Sequence, residues 1–303
     1  MREPSFWWQK AGLATKLLAP LAAIYGAIAG RRMARPGAHA GLPVLCVGNF
    51  TLGGTGKTPT VLMLAKMLQA AGEKPFCLSR GYGGNAEGPT HVHAQSDSAA
   101  RVGDEALLLA RIAPTVVSRD RVAGAVAARV AGASIGNACV FPAGPLRAPL
   151  EAQLARCDAL LIVGEASGAR NVVAAAGTRP IFHARLMPDP VAIVALKNKN
   201  VLAFAGIGDP EKFFATLVQA GIAVAQRKAF ADHHRLTAKE AAELTMQAER
   251  DGLTLVTTEK DHARMAGEPA LAAFAASTQV LPVTLVVDEI DELRRLVLAR
   301  TRK

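Results

Sequence analysis

The chain has 303 residues, 50% of them apolar and 5% aromatic, with a formal net charge of +10. That length points to two domains, and that composition to a core of Ala, Val and Leu. The basic excess implies an anionic partner; with no recognition module or aromatic-interleaved basic stripe, nucleic acid is argued against, leaving a membrane surface or a phosphorylated substrate. Cys46, Cys77, Cys139 and Cys157 form no C-x-x-C pair, which argues against a metal or disulfide framework and fits a reducing cytosol.

Residues 1–35 are set apart from the rest. Trp7 and Trp8 are the only tryptophans, and an Ala/Leu-rich run over 17–30 leads to Arg31, Arg32 and Arg35. A spanning helix needs about 20 apolar residues, and Lys16 and Pro20 interrupt this run. Ala27-Ile-Ala29 resembles a signal-peptide cleavage site, but export would part the nucleotide site described next from its nucleotide. The pattern favours a helix lying in the membrane interface over a buried core helix, with Trp7 and Trp8 at headgroup depth and the arginines near anionic lipid.

An apolar strand is expected over 43–48, then the glycine-rich stretch Thr51-Leu52-Gly53-Gly54-Thr55-Gly56-Lys57-Thr58. A helix follows, with Val61, Leu64, Ala65 and Leu68 on one face and Gly72 as its stop. Strand, glycine turn and helix start are the context of a phosphate-binding loop. Backbone N–H groups turn in around phosphate oxygens at a helix N-terminus, Lys57 reaches the β- and γ-phosphates of ATP, and the Thr58 hydroxyl sits on Mg²⁺. The loop pattern expects Gly where this chain has Thr51.

A second strand over 74–79 ends in Arg80-Gly81-Tyr82-Gly83-Gly84. In an open parallel sheet such a turn lies where ligands collect, so Arg80 either clamps a phosphate or closes an ordinary strand exit. Residues 85–100 read as a polar loop with His91 and His93 solvated. Val102-Gly103-Asp104-Glu105 opens an apolar helix, in which Asp104 is a cap or a carboxylate able to help deprotonate an acceptor hydroxyl. A third strand over 114–117 precedes Arg119 and Arg121, which add to the basic rim, and an Ala/Val helix to about Ala133. A phosphate-loop enzyme normally has a strand ending in an Asp on the Mg²⁺ side. Here the strand at 159–163 offers only Glu165.

Further on, a strand over 201–205 leads to a helix capped by Asp209, started by Pro210 and stopped by Gly221. His233 follows Asp232 just before a helix with the capping box Thr237-x-x-Glu240. Strands at 253–257 and 281–287 and a helix over 288–300 close the chain. The expected architecture is α/β: a P-loop NTPase-type, mostly parallel sheet flanked by helices, with a second, smaller α/β domain and an N-terminal membrane-associated helix. The expected boundaries are 1–35, 36–185 and 186–303.

Taken in order, these residues resemble the tetraacyldisaccharide 4'-kinases, which phosphorylate the lipid A precursor on the cytoplasmic face of the bacterial inner membrane. The motifs are Val47-Gly-Asn-x-Thr-x-Gly-Gly-Thr-Gly-Lys-Thr-Pro59, Arg80-Gly-Tyr-Gly-Gly84, Val102-Gly-Asp-Glu105, Pro142-Ala-Gly-Pro-Leu-Arg147, Ala205-Gly-Ile-Gly208, Phe230-x-Asp-His233 and Thr258-x-Lys-Asp261. Thr at the first loop position is the family's own form. The resemblance implies ATP and Mg²⁺ as cofactors and an anionic glycolipid, the lipid A disaccharide precursor, as acceptor. It implies Asp104 and His233 as a catalytic dyad; Arg80, Gly81 and Tyr82, with Arg119 and Arg121 where these are not simply surface charges, are the candidates for the substrate side. The enzyme would be peripheral or monotopic on the inner membrane.

One departure stands out: the family's Asp-Asp-Gly-x-Gln segment is absent, so that Ala133-Ser134 abuts Ile135. The missing acidic pair is the family's Mg²⁺-side cluster, and its loss predicts impaired catalysis. A membrane-associated P-loop ATPase or GTPase switch would share the loop, and a non-catalytic nucleotide- or lipid-binding protein would tolerate the loss.

Overall fold

A computed structural model describes residues 4–35, 43–51, 56–86, 89–118, 131–132, 139–143, 146–164 and 170–301. In chain order the elements begin with α1 (Leu13–Ala34), α2 (Lys57–Ala70), β1 (Cys77–Ser79), β2 (Thr90–His91), α3 (Ala99–Val102), α4 (Asp104–Ala110), β3 (Thr115–Val117) and β4 (Ala131–Gly132). They continue through α5 (Leu150–Leu154), β5 (Leu160–Val163), α6 (Arg170–Ala175), β6 (Ile181–Pro188), α7 (Pro190–Leu196), β7 (Asn200–Ala205), α8 (Pro210–Gln219) and β8 (Ala223–Ala229). The last are α9 (Ala238–Asp251), β9 (Thr254–Thr258), α10 (Glu259–Met265), α11 (Ala272–Ser277), β10 (Gln279–Leu281), β11 (Val283–Val287) and α12 (Ile290–Thr301). Contacts divide the chain into two compact units, one built from 62–120 and 187–284, the other from 3–61, 121–186 and 285–303.

The first unit holds a parallel sheet in the order β10-β9-β7-β8. Its central strand β7 is apolar along almost its whole length because both faces are covered. Val201, Ala203 and Ala205 pack with Phe213, Phe214 and Leu217 of α8. Leu202 and Phe204 face Ala241, Leu244 and Ala248 of α9. The expected helix signals are present: the Asp209 carboxylate accepts from the Lys212 N–H, Pro210 starts α8, and Gly221 follows it at φ +78. A smaller sheet, β1-β3-β2, pairs β1 parallel and β2 antiparallel to β3.

In the second unit, β4, β5 and β6 run parallel, and β11 lies at the edge beyond β6. Phe50, Leu146, Leu154, Leu160 and Val172 form its core. α1 packs its small residues inward, with Thr15, Ala22 and Gly26 buried. A Cβ on Gly26 would meet Val140 Cγ1 and Pro149 Cγ, each at 3.6 Å.

Several expectations are corrected. Residues 43–49 form no strand, since an apolar run becomes one only beside a neighbour that takes its backbone hydrogen bonds. Of the helix expected to reach Ala133, residues 131–132 are instead strand β4, paired with Ile162 and Val163, and its other residues from 119 onward lie outside the described residues. The loop at 85–100 contains β2 and the start of α3, because Val92 is buried between exposed His91 and His93. The single strand expected over 281–287 is two strands in two sheets, broken at Pro282, which has no N–H to give a ladder. α1 runs unbroken through Pro20 for 22 residues, giving up the one hydrogen bond that the proline nitrogen cannot donate. Length and composition therefore suffice to cross a membrane. Trp7 is turned inward, edge-on to Phe141 at 6.0 Å with its Nε1–H donated to the Pro142 carbonyl at 3.1 Å. Only Trp8 is exposed for headgroup contact.

Two motifs meet backbone to backbone in the first unit. A Cβ on Gly84 would lie 2.5 Å from the Arg101 oxygen and 2.8 Å from the Gly103 nitrogen. Gly103, at φ +88, would put one 2.6 Å from the Tyr82 oxygen. Glycine is what lets the turn 80–84 sit on the start of α4. Gly84→Ala is expected to destabilise the protein by about 1–3 kcal/mol, read as a lower urea midpoint at unchanged m.

The capping box of α9 is complete: Thr237 N–H donates to Glu240 Oε2 at 2.8 Å, and Glu240 N–H to Thr237 Oγ1 at 3.2 Å. The Thr237 backbone bond, helped by the Thr237 hydroxyl and His234, holds the Glu240 carboxyl at about 2 instead of 4.5. A depressed carboxylate stabilises the fold above its ordinary value and loses that contribution as pH falls toward 2. Glu240→Gln is expected to lower the melting temperature at neutral pH and to flatten the stability curve between pH 4.5 and 2.

Candidate active site

The phosphate-loop candidates lie in the second unit. Thr51 is buried and bridges to Leu146. Arg147 fastens the same point, its Nε donating to the Thr51 carbonyl at 2.6 Å and its backbone N–H to the Phe50 carbonyl at 2.9 Å. Gln153 Nε2 adds a bond to the Phe50 carbonyl. The Pro142–Arg147 motif, whose role the sequence did not give, thus ties down the entry to the loop. Leu52, Gly53, Gly54 and Thr55 lie outside the described residues. Gly56 stands at φ +71, and Lys57 and Thr58 are the first residues of α2. Among the described residues no group of three His, Cys, Asp or Glu side chains is placed to hold a metal.

The dyad candidates meet in the first unit. Asp104 opens α4 and is 4% exposed. Its Oδ1 accepts from the Glu105 N–H at 2.8 Å, a bond to the next residue that leaves Oδ2 turned away from the helix. His233 sits in a turn closed by His234 N–H to the Ala231 carbonyl, at φ +58, a left-handed conformation that is uncommon for a side-chain-bearing residue. That conformation brings His233 Nδ1 to 3.9 Å from Asp104 Oδ2, while its Nε2 is 3.8 Å from Asp232 Oδ2. Tyr82, exposed, lays its ring 4.8 Å from the imidazole. Asp104, His233 and Tyr82, with Arg235 and Arg264, line a cavity of about 240 Å³.

Arg264, which the sequence reading passed over, completes the cluster. Its Nε donates to Asp104 Oδ2 at 2.9 Å, and its Nη2 lies 2.8 Å from the same oxygen without a hydrogen-bonding direction. Its Nη1 donates to Asp261 Oδ1 at 2.6 Å and to the Gly206 carbonyl at 2.7 Å. Burial pushes the Asp261 carboxyl up, against the pull of Arg264 and the Thr258 hydroxyl. An Arg three residues after an Asp on one helix is a visible charge pair, and was the available signal.

Of the substrate-side candidates, Tyr82 lines this cavity, and Gly81 precedes it at φ +64 with no room for a Cβ beside Val117. Arg80 is exposed. Arg119 and Arg121, like Glu165, lie outside the described residues. An imidazole flanked by a buried carboxylate and open to a cavity can accept a proton from a hydroxyl held there.

The family model described as LpxK, tetraacyldisaccharide-1-P 4'-kinase, matches residues 14–135 and 130–302, two stretches that overlap at 130–135. The tetraacyldisaccharide 4'-kinase of Rhodopseudomonas palustris strain BisB18 is 50% identical over 329 residues, covering 99% of this chain and 96% of that one. That of strain HaA2 is 47% identical over 332 residues, taking in all of this chain and 98% of the relative; such an alignment has positions that these 303 residues do not fill. The fold matches the crystal structure of "apo" form LpxK from Aquifex aeolicus in complex with ATP, with a TM-score of 0.71 at 24% identity, over 95% of this chain and 100% of that one. With a family model matched along most of its length and relatives about half identical end to end, the chain belongs to the tetraacyldisaccharide 4'-kinase family.

Proposed function

We propose that this chain transfers the γ-phosphate of ATP to the 4'-hydroxyl of a tetraacyldisaccharide 1-phosphate, with Asp104 and His233 as the acid–base pair. The observation that carries the reading is the juxtaposition of these two side chains, 3.9 Å apart, at a cavity in a family of kinases. His233 takes the acceptor proton as the sugar oxygen bonds to the γ-phosphorus and the bond to the ADP oxygen breaks. Asp104 orients the imidazole and stabilises the charge it gains. Help of this kind contributes about 10²–10⁴ in rate. The larger share comes from positioning and charge neutralisation of the phosphates.

Residues 51–58 cradle the nucleotide, Lys57 pairs with its phosphates, and Thr58 supplies a hydroxyl oxygen for Mg²⁺. When bound, Mg²⁺ offsets negative charge on the transferring group. The Thr58 hydroxyl is a hard oxygen of the kind such a cation would take. The double match to the family model around 130–135 favours loss of an internal segment, and the acidic pair expected there is what this chain would lack on the metal side. Arg80, Gly81, Tyr82, Arg119 and Arg121 serve the anionic acceptor, and 1–35, 36–185 and 186–303 act as membrane helix, nucleotide domain and second domain.

The membrane contact is a face of α1. Leu13, Leu17, Leu21, Ile24 and Ile28 are exposed at helical spacing, from 75% to 47%, and Arg31 and Arg32 stand at its end. The opposite face rests on Val140 and Pro149. A helix packed on its own protein along one side lies in the interface of an anionic membrane, here the inner-membrane surface, instead of crossing it.

Two outcomes are expected. Phosphate transfer from Mg-ATP to the tetraacyl disaccharide in detergent, measured with the family's acidic segment inserted after Ser134, exceeds that of the chain as it stands by about 100-fold or more; Asp104→Ala abolishes most of it. No transfer from the restored chain overturns the kinase reading. Leu17→Glu with Leu21→Glu lowers binding to phosphatidylglycerol vesicles about tenfold or more, and undiminished binding would assign the membrane contact elsewhere.

A further inference from the structure

The Thr258-x-Lys-Asp261 motif has no part in the chemistry above, yet it sits beneath the dyad. Thr258 caps α10, its Oγ1 accepting from the Asp261 N–H at 3.1 Å and donating to Asp261 Oδ2 at 2.7 Å. The other oxygen, Oδ1, accepts from the Gly206 N–H at 3.1 Å and from Arg264 Nη1. Asp261 is thereby fixed from the helix and from the end of β7, and it fixes the guanidinium one turn later. Arg264 then reaches Asp104 Oδ2, the oxygen that faces His233.

The other half of the dyad is held at the same place. The Gly206 carbonyl accepts from Arg264 Nη1 at 2.7 Å and from the backbone N–H of His233 at 3.0 Å. One peptide oxygen therefore anchors both the turn that presents the imidazole and the guanidinium that aims the carboxylate. Gly206 leaves room for this: a Cβ there would press on Asp261 Oδ1 at 3.2 Å and the Ala231 carbonyl at 3.3 Å.

We propose that Arg264 is a positioning residue, a planar splint seated on Asp261 and Gly206 that sets the separation and direction of Asp104 Oδ2 relative to His233. A guanidinium can do this because its donors diverge in one rigid plane, toward Asp104 on one edge and toward Asp261 and Gly206 on the other. A lysine carries the same charge but no fixed fork. Arg264 does not touch the reacting atoms; it acts through Asp104. The inference deepens the kinase reading and rests on it for its kinetic consequence, but the geometric claim stands by itself.

The test uses the full chain, with and without the restored segment, as wild type, Arg264→Ala and Arg264→Lys. One readout is kcat and KM for phosphate transfer; the other is the ring resonances of His233 in protein labelled with ¹³C-histidine, assigned by His233→Gln. Arg264→Ala is expected to lower kcat about 100-fold with KM for ATP within about twofold. It should also move the His233 ring signals, and millimolar guanidinium should restore both while urea restores neither. Arg264→Lys, which keeps the buried charge, should lower kcat about tenfold and gain nothing from guanidinium. Unmoved His233 signals in both variants, or lost activity that guanidinium does not recover in a folded Arg264→Ala protein, overturns the proposal. If Arg264→Ala does not fold, the Arg264→Lys signals decide. Moved and rescued ring signals in a protein that transfers no phosphate would instead uphold the splint and reject the kinase reading.

Discussion

The buried charge cluster of Asp104, Arg264 and Asp261 constrains the first unit more than any other interaction. The three residues are 4%, 9% and 7% exposed, so water compensates their charges poorly. Removing one member of such a group leaves an uncompensated charge, at a cost of about 3–5 kcal/mol. Everything near it is built to avoid that state. Thr258 and the Gly206 N–H satisfy Asp261, the Glu105 N–H satisfies the far oxygen of Asp104, and the Gly206 carbonyl takes one arm of Arg264. The cluster joins α4 to α10 and to the end of β7, elements distant in sequence that a cavity alone would not hold together.

Backbone packing supplies the complementary constraint. Gly81, Gly84 and Gly103 let the turn after β1 rest on the start of α4 at distances that any Cβ would forbid. Asp104 follows Gly103 directly, so its carboxylate inherits that placement. Tyr82 inherits it from the other side and meets the His233 ring. Side chains aim the dyad, but contacts between peptide groups decide where it is aimed from.

This division explains what was legible in the sequence. Signals that depend on one residue's own chemistry were read correctly: Asp209 and Pro210 starting α8, the Thr237–Glu240 box, and Gly72 and Gly221 as stops at positive φ. Leu64, Ala65 and Leu68 are buried on the expected face of α2. Signals that depend on a neighbour were not. Residues 43–48 have the composition of a strand but no strand forms there, and Pro282 divides one apolar run between two sheets. Trp7 has the amphipathic character of an interfacial anchor and instead serves the second unit by packing on Phe141. Asp104 and His233 were singled out through motif resemblance and lie 3.9 Å apart, whereas Arg264 lies three residues beyond the motif that supports it. Its importance arises from a contact with a residue 160 positions away, which no local pattern encodes.

Tyr82, Asp104, Gly206, His233, Asp261 and Arg264 all belong to the unit built from 62–120 and 187–284. The overlap in the family match falls at 130–135, in the other unit. Hydrogen bonds and ion pairs act over a few ångströms, and every one that defines the dyad is made within its own unit. The buried cluster is therefore held together by residues of its own unit. The two halves of the proposed chemistry rest on different units, proton transfer on the buried charge cluster and phosphate binding on residues 51–58.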